Sequence, residues 1–273
     1  NILTIDKFSA QGFKGKIEGG FNYNTKNSKT KANLVLKELN IRYLSREIKE
    51  LSIAQSGRLS ALIDAEFIGY NLDDIKKTIK AYVKFNINDG ELTQFAKLER
   101  FLQAGNILSQ SILKLSLNSS LSAISKQNTG YFKTIEGTVK IQNSIANIQY
   151  IKSIGPNMSL YLTGKFNILN YNCSAEVLGR IPSSIVSVMG NIGKFSTSQL
   201  VDKMSDDTKN IIKAITTSPI EKMLSAQVAK QKTDKIPPLY NEAYKSTTRE
   251  FIVEIIGPIE SLSSIRNFKW IVY

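Results

Sequence analysis

The sequence predicts a mainly β chain with helical insertions, of the α+β class, built as an antiparallel meander. Three observations carry that expectation. Apolar and polar residues alternate at a period of two over many short stretches. Turn-forming residues separate those stretches closely enough for successive strands to lie side by side. Three-four spacing of apolar residues, the mark of an amphipathic helix, is confined to a few intervening segments.

Taken in order, Ile17, Phe21 and Tyr23 share one parity, as do Ala32, Leu34 and Leu36. Leu59, Ala61, Ile63, Ala65 and Phe67 alternate, followed by Val83, Phe85 and Ile87, then Val139 and Ile141. The clearest stretch runs from Met158 to Ile168. Met158, Leu160, Leu162, Phe166 and Ile168 point one way, and Ser159, Tyr161, Thr163, Lys165 and Asn167 the other. A helical period of 3.6 would mix the two sets. Ala175, Val177 and Ile181 continue the pattern, and Phe251, Val253, Ile255 and then Phe268, Trp270, Val272 close it. Asp89-Gly90, Gly155-Pro156-Asn157, Asn170-Tyr171-Asn172 and Gly257-Pro258 are the expected turns. Glycines inside strand segments, at Gly19-Gly20, Gly137 and Gly164, predict bends or bulges that would curl the sheet.

Helices are expected at Asn71 to Lys80, with Asn71 as N-cap and Asp73 and Asp74 in the first turn, and at 93–108, 208–217 and 218–230. The domain reading is a β-sheet domain with helical insertions over 1–230, a polar loop or linker over 231–248, and C-terminal strands over 249–273 that return to the sheet.

Composition narrows the function. There is no histidine and one cysteine, Cys173, in 273 residues. That removes Ser-His-Asp and Cys-His chemistry, an intrachain disulfide and the usual zinc ligand sets. No Walker loop or dinucleotide fingerprint occurs, so no cofactor is expected. The reading is of a chain that is not an enzyme. The net charge of +13 is spread as single and paired Lys and Arg, without an arginine-rich run, so nucleic acid is not an expected partner. No charged n-region with an apolar h-region opens the chain at Asn1, and no apolar run approaches the about 20 residues of a membrane span.

One order of segments is familiar. Phe85-Asn86-Ile87-Asn88-Asp89-Gly90-Glu91-Leu92 leads into Phe95-Ala96-Lys97-Leu98-Glu99-Arg100-Phe101-Leu102. Phe132-Lys133-Thr134-Ile135-Glu136-Gly137-Thr138-Val139-Lys140-Ile141 follows, and then Met158-Ser159-Leu160-Tyr161-Leu162-Thr163-Gly164-Lys165-Phe166. Over residues 81–181 this order resembles the C-terminal region of AsmA-family proteins, a group related to TamB and the bridge-like lipid-transfer proteins. The chain departs from the family pattern at Ser144, where Gly is common, and at Asn167, where Asp is common.

The resemblance implies a curled sheet forming an apolar trough, in a periplasmic protein tethered to the inner membrane by a segment absent from this chain. It implies phospholipids and the bacterial inner and outer membranes as partners, with acyl chains bound or conducted between the two membranes in support of outer-membrane integrity. The lipid-groove residues would be Val83, Phe85, Val139, Ile141, Met158, Leu160, Leu162, Phe166, Ile168 and Val177. Read without the resemblance, that face serves equally as an ordinary closed core. The alternative function is a non-catalytic scaffold or assembly factor for outer-membrane proteins, working through exposed strand edges.

Overall fold

A computed structural model of the chain describes residues 1–48, 54–92, 130–182, 232–240, 248–258 and 265–271. The helices expected at 93–108, 208–217 and 218–230 lie outside the described residues. The strands are β1 (Ile2–Gly12), β2 (Gly15–Asn24), β3 (Lys29–Asn40), β4 (Ala54–Ile68), β5 (Lys80–Leu92), β6 (Tyr131–Gln142), β7 (Ile145–Ile154), β8 (Ser159–Asn167), β9 (Asn172–Pro182), β10 (Thr248–Pro258) and β11 (Ile265–Ile271). They form one eleven-stranded sheet in chain order, every pair of neighbours antiparallel. The sheet is curled and does not close into a barrel.

Two short helices sit at opposite ends of β4. In α1 (Ile41–Glu47) the Asn40 side chain accepts from the Arg42 amide, and Ile41 and Leu44 are buried. The helix lies against β4, and the Ile41 Cδ1 and Ile87 Cγ2 methyl groups converge on Gly57. The other helix, α2 (Leu72–Thr78), has the expected cap: Asn71 accepts from the Asp74 amide, and Asp73 and Asp74 oppose the helix dipole.

Three β-bulges decide which side chains share a face. The register of β1 against β2 shifts between Ile5 and Phe8, leaving Asp6 and Lys7 together opposite Gly20. Between β3 and β4 it shifts between Leu36 and Leu39, with Glu38 at φ 55°. Between β7 and β8 it shifts between Ile148 and Ile151. In each case an apolar pair three residues apart stays on one face, because the bulge absorbs the odd residue. Glycine is needed at two of these places. A Cβ on Gly20 would strike the Asp6 carbonyl, and Gly164, opposite Ile148 beside the β7 bulge, holds φ 151°. The expectation that in-strand glycines mark bulges holds here.

Two expectations need correction. Strand β8 is shorter than the alternating stretch: Met158 precedes it, and Ile168 falls in the following turn, where its amide donates to the Ser144 carbonyl. Asp89-Gly90 is not a turn between strands but a kink within β5, with Asp89 at φ 50°. Lys133 and Tyr131 on the neighbouring strand hold that aspartate. The segment expected as a polar loop over 231–248 is anchored where it is described. Thr233, Ile236 and Leu239 are buried, Ser159 Oγ donates to the Pro238 carbonyl at 2.7 Å, and the Tyr240 amide donates to the Gly155 carbonyl.

Candidate functional site

The cross-strand register aligns four rows of side chains on one sheet face. One row runs Ile5, Phe21, Ala32, Ala65, Ala81, Ile141, Ala146, Phe166, Cys173, Gly257. The next runs Phe8, Gly19, Leu34, Ile63, Val83, Val139, Ile148, Gly164, Ala175, Ile255. The third runs Ala10, Ile17, Leu36, Ala61, Phe85, Gly137, Ile151, Leu162, Val177, Val253. The fourth starts two strands later, on β3: Leu39, Leu59, Ile87, Ile135, Ser153, Leu160, Gly179, Phe251. Ser153 is the one polar side chain in the four rows, and no charge interrupts them. At about 4.8 Å per strand, the rows extend for about 45 Å.

Exposure along this face is graded. On β9 and β10, Cys173, Ala175, Val177, Phe251 and Val253 are buried, and so are Leu160 on β8 and Met158 just before it. On β5 and β6, Val83, Phe85, Val139 and Ile141 are only half-buried, as are Leu162 and Phe166 on β8. At two of the row glycines the neighbouring ring spreads over the gap: Phe85 lies across Gly137, and Phe251 across Gly179. Such pairs keep the face apolar where a side chain is missing.

The opposite face is polar and ionic over most of the sheet. Glu18 lies between Lys16 and Lys37 at 2.5 and 2.6 Å, and Lys29 and Lys31 flank Glu66. Hydrogen bonds from Lys16 and then Lys37 pull the Glu18 carboxyl down to a pKa of about 2. Beyond the fourth row, at the end of β5 and the start of β6, Lys133, and then Tyr131, hold the Asp89 carboxyl below the usual range, and Lys133 is raised in return. At the far end Arg180 donates twice to Glu250, the more deeply buried partner. The 232–240 segment crosses this end, with Lys232 on Glu176 at 2.8 Å and Lys235 over the Tyr161 ring.

The sequence-based groove residues thus divide. Val83, Phe85, Val139, Ile141, Leu160, Leu162, Phe166 and Val177 fall in the rows. Met158 is buried beyond their end, and Ile168 stands in a turn. Sequence reasoning missed the contributions of β1, β7 and Leu39, whose three-residue apolar spacing hides a strand when a bulge intervenes.

Among the described residues no three His, Cys, Asp or Glu side chains gather as a metal site. The Cys173 thiol is buried, which raises its pKa. No helix among the described residues is long and apolar enough to cross a membrane. No protein-family model, curated protein or solved structure matches the chain.

Proposed function

We propose that this chain is a non-catalytic, AsmA-like envelope module whose apolar sheet face binds or conducts phospholipid acyl chains between the inner and outer membranes. The observation that carries the reading is the set of four uncharged rows, three spanning β1 to β10 and one β3 to β10, on one face of a curled, open sheet. Acyl chains cost about 0.8 kcal/mol per CH₂ exposed to water, so a path for them needs an apolar surface without gaps. Antiparallel strands in register supply one across their whole width. The half-buried stretch around Val83, Phe85, Val139 and Ile141 is where a chain would be held. The buried residues of β9 and β10 are the supporting core. In this reading the protein is periplasmic and held at the inner membrane by a segment outside this chain.

The scaffold reading asks for a flat free strand edge on which a client strand can pair. Strand β1 is bent by its bulge, a shape that suits such pairing poorly and favours the lipid reading.

The test is a photo-crosslinking amino acid at Val139, compared with one at Lys140 on the opposite face. Labelling of co-purified phospholipid from Val139 and not from Lys140 is expected. A second arm uses Val139→Asp. A carboxylate in a wetted groove lowers stability modestly, whereas one sealed in a core costs several kcal/mol. A Val139→Asp protein that unfolds, with no lipid adduct at Val139 in the parent, would sink the proposal.

A further inference from the structure

Large apolar side chains are exposed together at one end of the sheet. Ile68 closes β4, Tyr70 and Leu72 lead into α2, and Leu169 and Tyr171 lie in the β8–β9 turn. They are 45, 75, 59, 42 and 38% exposed. Both turns lie inside the array, with paired strands on either side, so this is not the exposure of a sheet edge. Exposed apolar groups gathered in one place mark a surface that meets a partner or a membrane.

Short-range contacts tie the two turns into one rim. Ser144, in the β6–β7 turn, donates its hydroxyl to the Lys76 carbonyl of α2 and accepts from the Ile168 amide on its own carbonyl. The Lys76 ammonium lies 5.7 Å from the centre of the Tyr171 ring and 3.3 Å from its hydroxyl. On the other side the Tyr70 hydroxyl accepts from Tyr23 at 2.7 Å and from Ser28 at 2.6 Å. Ring contacts then connect the rim to the apolar face. Tyr171 is 6.1 Å from Phe166, a member of the first row, and Tyr70 is 6.2 Å from Tyr23, which stands two residues beyond Phe21 of that row on β2.

We infer that this rim docks on the surface of an anionic phospholipid bilayer. Tyrosine, with an apolar ring and a polar end, suits the boundary between headgroups and acyl chains, and leucine beside it enters the apolar side. Lys26, Lys76, Lys77 and Lys80 stand at the same end, against Asp73 and Asp74. The whole chain carries +13, so its approach to an anionic surface is favourable at long range. A bilayer also fits the geometry better than a protein does. Side chains at the tips of separate turns can each enter between headgroups, whereas a stable protein interface asks for a broad, closely fitted patch. The docking goes beyond the lipid-path reading and stands without it, because a protein whose trough carries no acyl chain would bind a vesicle through this rim all the same.

The experiment is flotation of the protein with phosphatidylcholine vesicles, with and without phosphatidylglycerol. Binding to the anionic vesicles and weaker binding to pure phosphatidylcholine are expected. Leu72→Ser combined with Leu169→Ser should lower the partition into anionic vesicles about tenfold or more. Both leucines are exposed, and circular dichroism checks that the variant folds. Depth is read with tryptophan, over the background of Trp270. Leu72→Trp should shift its emission to the blue on vesicles and be quenched by brominated phospholipid. Ile48→Trp, at the opposite end of the strands and also exposed, should do neither. The Val139 photo-adduct reports on the acyl path, so docking and path can fail separately. Four results would each overturn the inference: no binding to anionic vesicles, equal binding to pure phosphatidylcholine, binding unchanged by the serine pair, or the same spectral shift from Ile48→Trp. A dimer in sedimentation velocity that the serine pair dissociates would assign the rim to a second copy and overturn it as well.

Discussion

At the residue scale, Ser153 breaks the chemistry of its surroundings. It stands between Ile135 and Leu160 in an otherwise apolar row, 2% exposed, and its hydroxyl has no hydrogen-bond partner among the described residues. An unpaired buried hydroxyl costs about 1–3 kcal/mol. Ser153→Ala is therefore expected to stabilise the protein by about 1 kcal/mol, read as a rise in the denaturant midpoint without a change in slope. Glu18 acts through pH. Its folded pKa of about 2 lies below the ordinary value of about 4.3, so its contribution is full above that ordinary value and is lost as the pH falls through about 2. Glu18→Gln should be less stable than the parent at neutral pH, and the two should converge in acid. Thermal unfolding across that range checks the sign, and high salt should shrink the difference because both lysines are partly exposed.

At the element scale, the bulges do what regular alternation cannot. Gly164 is paired with Ile148 on the bulged strand and with Ala175 on the other side. Its φ of 151° excludes ordinary L side chains, and a Cβ would press on the Ala175 backbone. Gly164→Ala should therefore cost about 2–3 kcal/mol, more than the tenths that an alanine normally changes in a strand. Equilibrium unfolding measures it. A neutral effect would mean that β8 does not hold this conformation in solution. The same geometry explains what was readable beforehand. Strands β4, β5, β8 and β9 alternate cleanly where they matter, so their faces could be assigned from residues such as Leu59 to Phe67 and Leu160 to Phe166. In β1 and β7 the apolar residues fall three apart across a bulge, Ile5 to Phe8 and Ile148 to Ile151, and that spacing imitates a helix. The Asn71 cap of α2 was legible because capping is a contact between near neighbours. Asn40 caps α1 in the same way, but no acidic residue stands in its first turn as Asp73 and Asp74 do in α2.

At the scale of the whole molecule, every strand touches its sequence neighbours, so the sheet is close to a one-dimensional array. Stability in such arrays is a sum of neighbour terms and need not be uniform. Cys173, Ala175, Val177, Leu178 and Ile181 of β9 and Phe251 and Val253 of β10 are buried, while most of β1 is exposed. Amide hydrogen exchange by mass spectrometry should therefore show β1 opening well before β9 and β10. Equal protection along the sheet would mean that the array opens as one unit. The amino-acid sequence by itself determined the strand-rich class, the two-sided character of most strands, the cap of α2 and the absence of histidine chemistry, because each depends on composition or on residues a few positions apart. Only the tertiary structure decided that eleven strands form one sheet in chain order, that bulges bring β1, β3 and β7 back onto the common face, and that the 232–240 segment anchors on the other. Register and burial depend on cross-strand hydrogen bonds between residues far apart in the chain. A single extra residue in one strand exchanges the two faces, and local periodicity has no means of registering it.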